Sequence, residues 1–181
     1  MVRWLCLGWS LVVGVAQAGQ LAGVTLPDSA TVGGRAVVLN GMGLREKYYF
    51  DIYVGGLYLP ARTTSATEAM ADVPRRIVLH FVYNEVTKDQ LVEAFSEGLA
   101  AQPNAAAVRD RFTTMYGMLD TVHAGDQIVL DYAPGAGTTV SVRGSARGTI
   151  PGADFGAALA GVFVGAAPPT AKLKRGLLGG T

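Results

Sequence analysis

One stretch of this 181-residue chain carries side chains whose types and spacing could do chemistry: Asn40-Gly41-Met42-Gly43-Leu44-Arg45, followed by Tyr48-Tyr49-Phe50-Asp51-Ile52-Tyr53-Val54-Gly55-Gly56-Leu57-Tyr58-Leu59. Two glycines before an arginine let another element approach the backbone closely. A guanidinium there is a permanent cation beside a sheet rich in aromatics, an arrangement that grips an anionic head group while its apolar body lies on the sheet. The same pattern also describes a hairpin with an exposed arginine near its turn and tyrosines in the core or at the rim.

Other chemistries find little support. His80, on a strand, and His123, in a turn, have no partner at ligand spacing, so no metal is assigned. No Gly-x-Ser-x-Gly occurs, and Ser96 falls on a helix rather than at a strand end. Gly41-Met42-Gly43 and Gly135-Ala136-Gly137 lack the third glycine or the lysine that phosphate binding needs, and read as turns or bulges. No cofactor is expected.

The elements that must position Arg45 and the tyrosines follow from periodicity. Arg35 to Arg45 and Lys47 to Leu59 read as a strand pair turning near Glu46, after a short apolar run at Val24 to Leu26 and a Pro-Asp-Ser turn. Ser65 and Glu68 form a capping-box pattern for a short helix ending before Pro74. In Arg76 to Tyr83, Ile77, Leu79, Phe81 and Tyr83 share one face and Val78, His80 and Val82 the other, which predicts a central strand. Thr87 and Gln90 repeat the capping-box pattern before Leu91, Phe95 and Leu99, a helix that must stop by Pro103. Val108, Phe112, Met115 and Leu119 define another helix from about Ala105 to Leu119. Gln127 to Tyr132, Thr138 to Arg143 and Arg147 to Ile150 predict an antiparallel meander. Asp154 is expected to cap a last long helix through Val164, and Pro168-Pro169 leads into a tail from Leu173 to Leu178. Strands at both ends with helices between them argue for an α+β fold, an antiparallel sheet with helices gathered on one face.

Arg3, the apolar run Trp4 to Val15 and the small-residue end Ala16-Gln17-Ala18 predict a signal peptide over residues 1–18, leaving one domain over 19–181. The apolar run is too short for a membrane anchor, so no transmembrane span is expected after cleavage. Cys6, the one cysteine, leaves with the signal. Residues 19–181 then hold 14 basic and 14 acidic side chains with no tail of one sign, which makes nucleic acid a poor partner. Arginine outnumbers lysine 11 to 4, in keeping with a GC-rich bacterial genome, and the periplasm is the expected location.

The run from Asn40 to Leu59 resembles the signature strand pair of the chalcone isomerase-like proteins, and in particular their secreted bacterial branch. The resemblance continues through Thr87 to Gln102, Ala124-Gly125-Asp126, Asp131 to Gly135, Gly148 to Phe155, Gly165, Pro168-Pro169 and Leu177-Leu178-Gly179. It implies an open-faced β-sandwich, a large antiparallel sheet with a layer of helices and a ligand cleft between them. In the plant isomerases that cleft cyclises a chalcone to a flavanone, with an arginine after the glycines, a threonine, a tyrosine and an asparagine as the polar network. Arg45 matches the arginine, whereas Tyr53 stands where the threonine would be, and Leu91 and Gly98 where the tyrosine and asparagine would be. Superfamily members that bind fatty acids keep an arginine and a tyrosine as a carboxylate clamp, which carries over to Arg45 and Tyr53. Tyr58 is carried over with them, although strand alternation turns it to the opposite face.

The expected function is therefore non-catalytic binding of a fatty acid or similar small anionic amphiphile. Arg45 would pair with its head group and Tyr53 donate a hydrogen bond, while Leu91, Phe95, Leu99 and Phe112 line an apolar pocket. Two alternatives stand beside it. One is an isomerase or intramolecular lyase acting on another small molecule, with Tyr53 as proton shuttle if Arg45 lowers its pKa. The other is an envelope interaction module without a ligand.

Overall fold

The computed structural model describes residues 19–180; the expected signal peptide, residues 1–18, lies outside them. Three short strands, β1 (Gly19–Leu21), β2 (Val24–Leu26) and β3 (Ser29–Val32), lead into a long hairpin of β4 (Arg35–Lys47) and β5 (Phe50–Leu59). Lys47 pairs with Phe50, so the chain turns at Tyr48-Tyr49 rather than near Glu46. Next come α1 (Ala66–Ala69), β6 (Arg75–Phe81), β7 (Glu85–Val86), α2 (Lys88–Ala100) and α3 (Ala105–Met118). The chain closes with β8 (Val122–His123), the meander β9 (Gln127–Ala133), β10 (Gly137–Val142) and β11 (Ser145–Ile150), and the helices α4 (Ala153–Val164) and α5 (Ala171–Leu177).

Seven strands form one antiparallel sheet in the order β11-β10-β9-β6-β5-β4-β3, with β6 fourth of seven as its two apolar faces require. One face carries Leu57, Ile77, Leu79, Phe81, Ile128 and Leu130 into a core shared with α2, α3 and α4. The other buries Val37, Leu39, Val54, Tyr58 and Val78 under Val24 and Leu26 of β2. The α+β architecture with helices on one face is thus the observed one.

The helix ends show where local chemistry decides and where tertiary contacts override it. Thr87 and Gln90 make both halves of a capping box. At α1 the box is one-sided: Ser65 Oγ accepts from the Glu68 amide, but the Glu68 carboxylate takes the Thr63 hydroxyl at 2.6 Å. Asp154 does not cap α4. That position belongs to Gly152, and Asp154, in the first turn, forms a two-pronged pair with Arg111 of α3 at 2.5 and 2.7 Å. The expected tail is helical, with the Thr170 hydroxyl accepting from the Leu173 amide at the start of α5.

Helix α5 lies directly on β4. A Cβ on Gly41 would overlap the Gly176 carbonyl oxygen, one on Gly43 the Leu173 carbonyl oxygen, and one on Gly176 the backbone of Met42 and Gly43. The glycines before Arg45 therefore admit another element, and that element is a helix of the same chain. A β-bulge makes Asn40 an extra residue opposite β5. Its amide nitrogen reaches the Leu177 carbonyl at 2.7 Å, and its amide oxygen accepts from the Thr63 amide at 2.7 Å.

Candidate functional site

A second bulge lies at the other end of the hairpin. Arg45 pairs with Tyr53 and Glu46 with Asp51, so Ile52 is the extra residue. The bulge lets the consecutive residues Ile52 and Tyr53 both line one cavity, which strict alternation would forbid. Ile52's carbonyl accepts from the amides of Val82 and Tyr83, which holds the segment just after β6 beside the same space, and Tyr83 lines it.

That cavity, about 360 Å3, lies between this part of the sheet and the helices α2 and α4. Its size falls within the range of about 300–1,000 Å3 usual for small-molecule sites. The sheet contributes Arg45, Ile52, Tyr53, Leu79, Phe81 and Tyr83; α2 contributes Leu91, Ala94, Phe95 and Gly98; α4 and the loop after it contribute Val162, Phe163 and Pro168-Pro169. Tyr53 packs edge-on against Phe81 with ring centroids 5.6 Å apart, and Phe95 against Phe163 at 6.0 Å. Lys47, Glu85, Glu93 and Glu97 add charged groups to the lining and Gln90 an uncharged polar one, and Glu85 is paired with His123 at 3.2 Å.

Arg45 is half-buried and donates to the Glu46 carbonyl oxygen; among the described residues no ion pair includes it. Its guanidinium keeps donors to spare. Tyr53 is buried, and among the described residues its hydroxyl has no hydrogen-bond partner. Burial pushes its pKa far up, and the attraction of Arg45 offsets that only in part. The phenol is therefore a hydrogen-bond donor at neutral pH rather than a base.

Of the residues singled out by sequence, Arg45, Tyr53, Leu91 and Phe95 meet in this cavity, and three do not. Tyr58 is on the opposite sheet face, where its hydroxyl donates to the Pro27 carbonyl at 2.8 Å and burial pushes its pKa up to about 12. Leu99 is buried in the core and does not line the cavity. Phe112 is fully buried on α3 against Phe155 of α4, ring centroids 5.1 Å apart, and does not line the cavity. Ile52, Tyr83, Val162 and Phe163 were not foreseen. The stripe Leu91, Ala94, Phe95 and Gly98 on α2 follows helical spacing and was open to recognition, whereas Ile52 depends on a bulge.

Gly98 has a packing reason. A Cβ there would overlap the Val162 side chain, so α2 and α4 touch at this point and an asparagine does not fit without separating them. Leu91 presents only hydrocarbon. Elsewhere, His80 Nδ1 is 2.9 Å from Gln127 Nε2, and among the described residues no group of three His, Cys, Asp or Glu side chains is placed to hold a metal ion.

Comparison with curated proteins returns no sequence match. Among solved structures, the fold is similar to the crystal structure of a fatty-acid binding protein of Arabidopsis thaliana, with a TM-score of 0.73 and 16% identity, over 90% of this chain and 96% of that one. The sequence profile of the chalcone isomerase-like family matches residues 18–179. With the sheet, the helix layer and the order of motifs in agreement, the chain belongs to the chalcone isomerase-like family.

Proposed function

We propose that the protein binds a fatty acid or a similar anionic amphiphile, its carboxylate on Arg45 and its chain in the apolar cavity between the sheet and α2. The observation that carries this reading is an arginine without a carboxylate partner among the described residues, lining a cavity otherwise walled mainly by Leu79, Phe81, Leu91, Phe95 and Phe163. The guanidinium supplies two parallel donors to a carboxylate, and the Tyr53 hydroxyl adds a third. The Arabidopsis protein of like fold is a fatty-acid binder, which supports the same reading. A proton-shuttle role for Tyr53 finds no support, because burial holds its proton on the phenol. Export through residues 1–18 to the periplasm belongs to the same proposal, and the N-terminal sequence of the protein recovered from that compartment tests it.

The binding test is native mass spectrometry of gently purified protein spanning residues 19–181, with titration of a fluorescent fatty acid. A one-to-one adduct and saturable binding are expected. Ala94 lines the cavity from an exposed helix position, so Ala94→Trp fills the space with little strain and should weaken binding at least tenfold. Equal binding by Ala94→Trp and wild type would remove the cavity from the proposal.

A further inference from the structure

Three aromatic residues in a row stand out of the protein at the tip of the β4–β5 hairpin. Tyr48 is 86% exposed, Tyr49 fully exposed and Phe50 55% exposed, and they are the exposed large apolar side chains of the described residues. Tyr48 also has a φ of 59°, in the left-handed region that turns normally fill with glycine or asparagine. A tyrosine is held there against the backbone preference of the turn, and among the described residues its hydroxyl has no hydrogen-bond partner that would repay the strain.

The tip is continuous with the mouth of the cavity. Phe50 packs edge-on against Tyr83, with centroids 5.5 Å apart, and Tyr83 lines the cavity. Lys47, the strand partner of Phe50, lines it too, and Arg45 follows two residues further in along β4. An acyl carboxylate entering past the tip would meet the Lys47 ammonium first and the Arg45 guanidinium next.

We propose that this aromatic tip docks the protein on the surface of a lipid bilayer, with Tyr48 and Tyr49 in the headgroup region, so that the cavity mouth faces the lipids from which its ligand comes. The purpose assigned to docking rests on the amphiphile-binding reading above; the docking itself does not. Tyrosine is suited to that layer, its ring among acyl carbons and its hydroxyl among headgroups. A protein partner fits less well. Three side chains of about 150–250 Å2 each expose less than the roughly 800 Å2 per partner of a stable protein interface. Charge does not dominate: Glu46 is tied to Lys172 at 2.8 Å, leaving Lys47 and Asp51 at the tip. Docking therefore depends on aromatic insertion, proceeds on uncharged lipid and changes little with salt.

Residues 19–181 contain no tryptophan, since Trp4 and Trp9 are the only two, so Tyr49→Trp makes a single reporter at the tip. On addition of phosphatidylcholine vesicles its emission should shift to the blue and be quenched by brominated acyl chains. Tyr48→Ser/Tyr49→Ser should lose at least about tenfold in vesicle co-sedimentation while keeping its titration with a fluorescent fatty acid in solution. Tyr48→Gly should raise the Tm by relieving the turn yet weaken co-sedimentation. Tyr49→Trp emission indifferent to vesicles, or equal co-sedimentation of wild type and the double variant, overturns the inference and leaves the solution titration to judge ligand binding alone. A wild type that forms dimers abolished by the double variant, without vesicle association, overturns it in favour of an interface between two copies. Vesicle association without any solution binding of fatty acid keeps the docking and removes the ligand.

Discussion

Asn40 and Leu177, 137 residues apart, are joined by a buried hydrogen bond of 2.7 Å that fastens the last residue of α5 to the bulge of β4. Asn40→Ala leaves the Leu177 carbonyl and the Thr63 amide without their partner. The expected loss is about 2–4 kcal/mol in a denaturant unfolding series. Gly41→Ala should act on the same contact by steric overlap, and the pair should combine to less than the sum of the single losses.

Arg45 stands in another position, since its removal breaks no ion pair among the described residues. Arg45→Ala should weaken binding of a fluorescent fatty acid about tenfold to a hundredfold, the equivalent of a charge-assisted grip of about 1.5–3 kcal/mol. The Tm of the ligand-free protein should hardly change. Arg45→Lys should recover part of the affinity, because a point charge does not reproduce the two parallel bonds of a guanidinium. Loss of folding with ligand retention intact would make the arginine a structural clamp.

Arg75 is the reverse case. It is 2% exposed and donates to the carbonyls of Ala69, Ala71 and Gly156 at 2.7–3.2 Å, while its guanidinium lies 5.1 Å over the Tyr132 ring. Burial lowers its pKa to about 10, so it stays charged at neutral pH. Arg75→Ala strips α1 and α4 of their shared donor and should cost about 3 kcal/mol or more by chemical denaturation.

The Arg111–Asp154 pair gives the acid limb of stability a defined sign. Arg111, mainly by its hydrogen bonds, pulls the Asp154 carboxyl from 3.8 down to about 2. A depressed folded-state pKa contributes stability that is complete above about pH 4 and is lost as pH falls through 2. Tm profiles of wild type and Asp154→Asn from pH 2 to 6 should differ at the upper end and converge at the lower. A constant offset across that range would show that the charge is not the cause.

Local and periodic features were legible in the sequence. The apolar residues on both faces of β6 announced a central strand, and Thr87 with Gln90 marked the start of α2, because both signals act within a few residues. What escaped depends on partners far along the chain. Asp154 looked like a cap until Arg111 claimed its carboxylate, and α5, with a glycine in seven residues, has too weak a pattern to announce itself without β4 beneath it. Tyr58 was readable as facing away, and it does. Leu99 and Phe112 share helical stripes with true lining residues or with the core, and periodicity does not tell the wall of a cavity from the interior behind it.

The glycine track on which α5 rests also sets an order of events in time. β4 leaves the ribosome early, yet the groove at Gly41 and Gly43 stays bare until Gly176 and Leu177 have been made. Among the described residues the atoms nearest Gly41 and Gly43 come from the segment 173–179, so the sheet region beside Arg45 is completed only by nearly the whole chain. A polypeptide built in this way stays incompletely folded through most of its synthesis, because the strand pair that carries Arg45 closes only when α5 has been made.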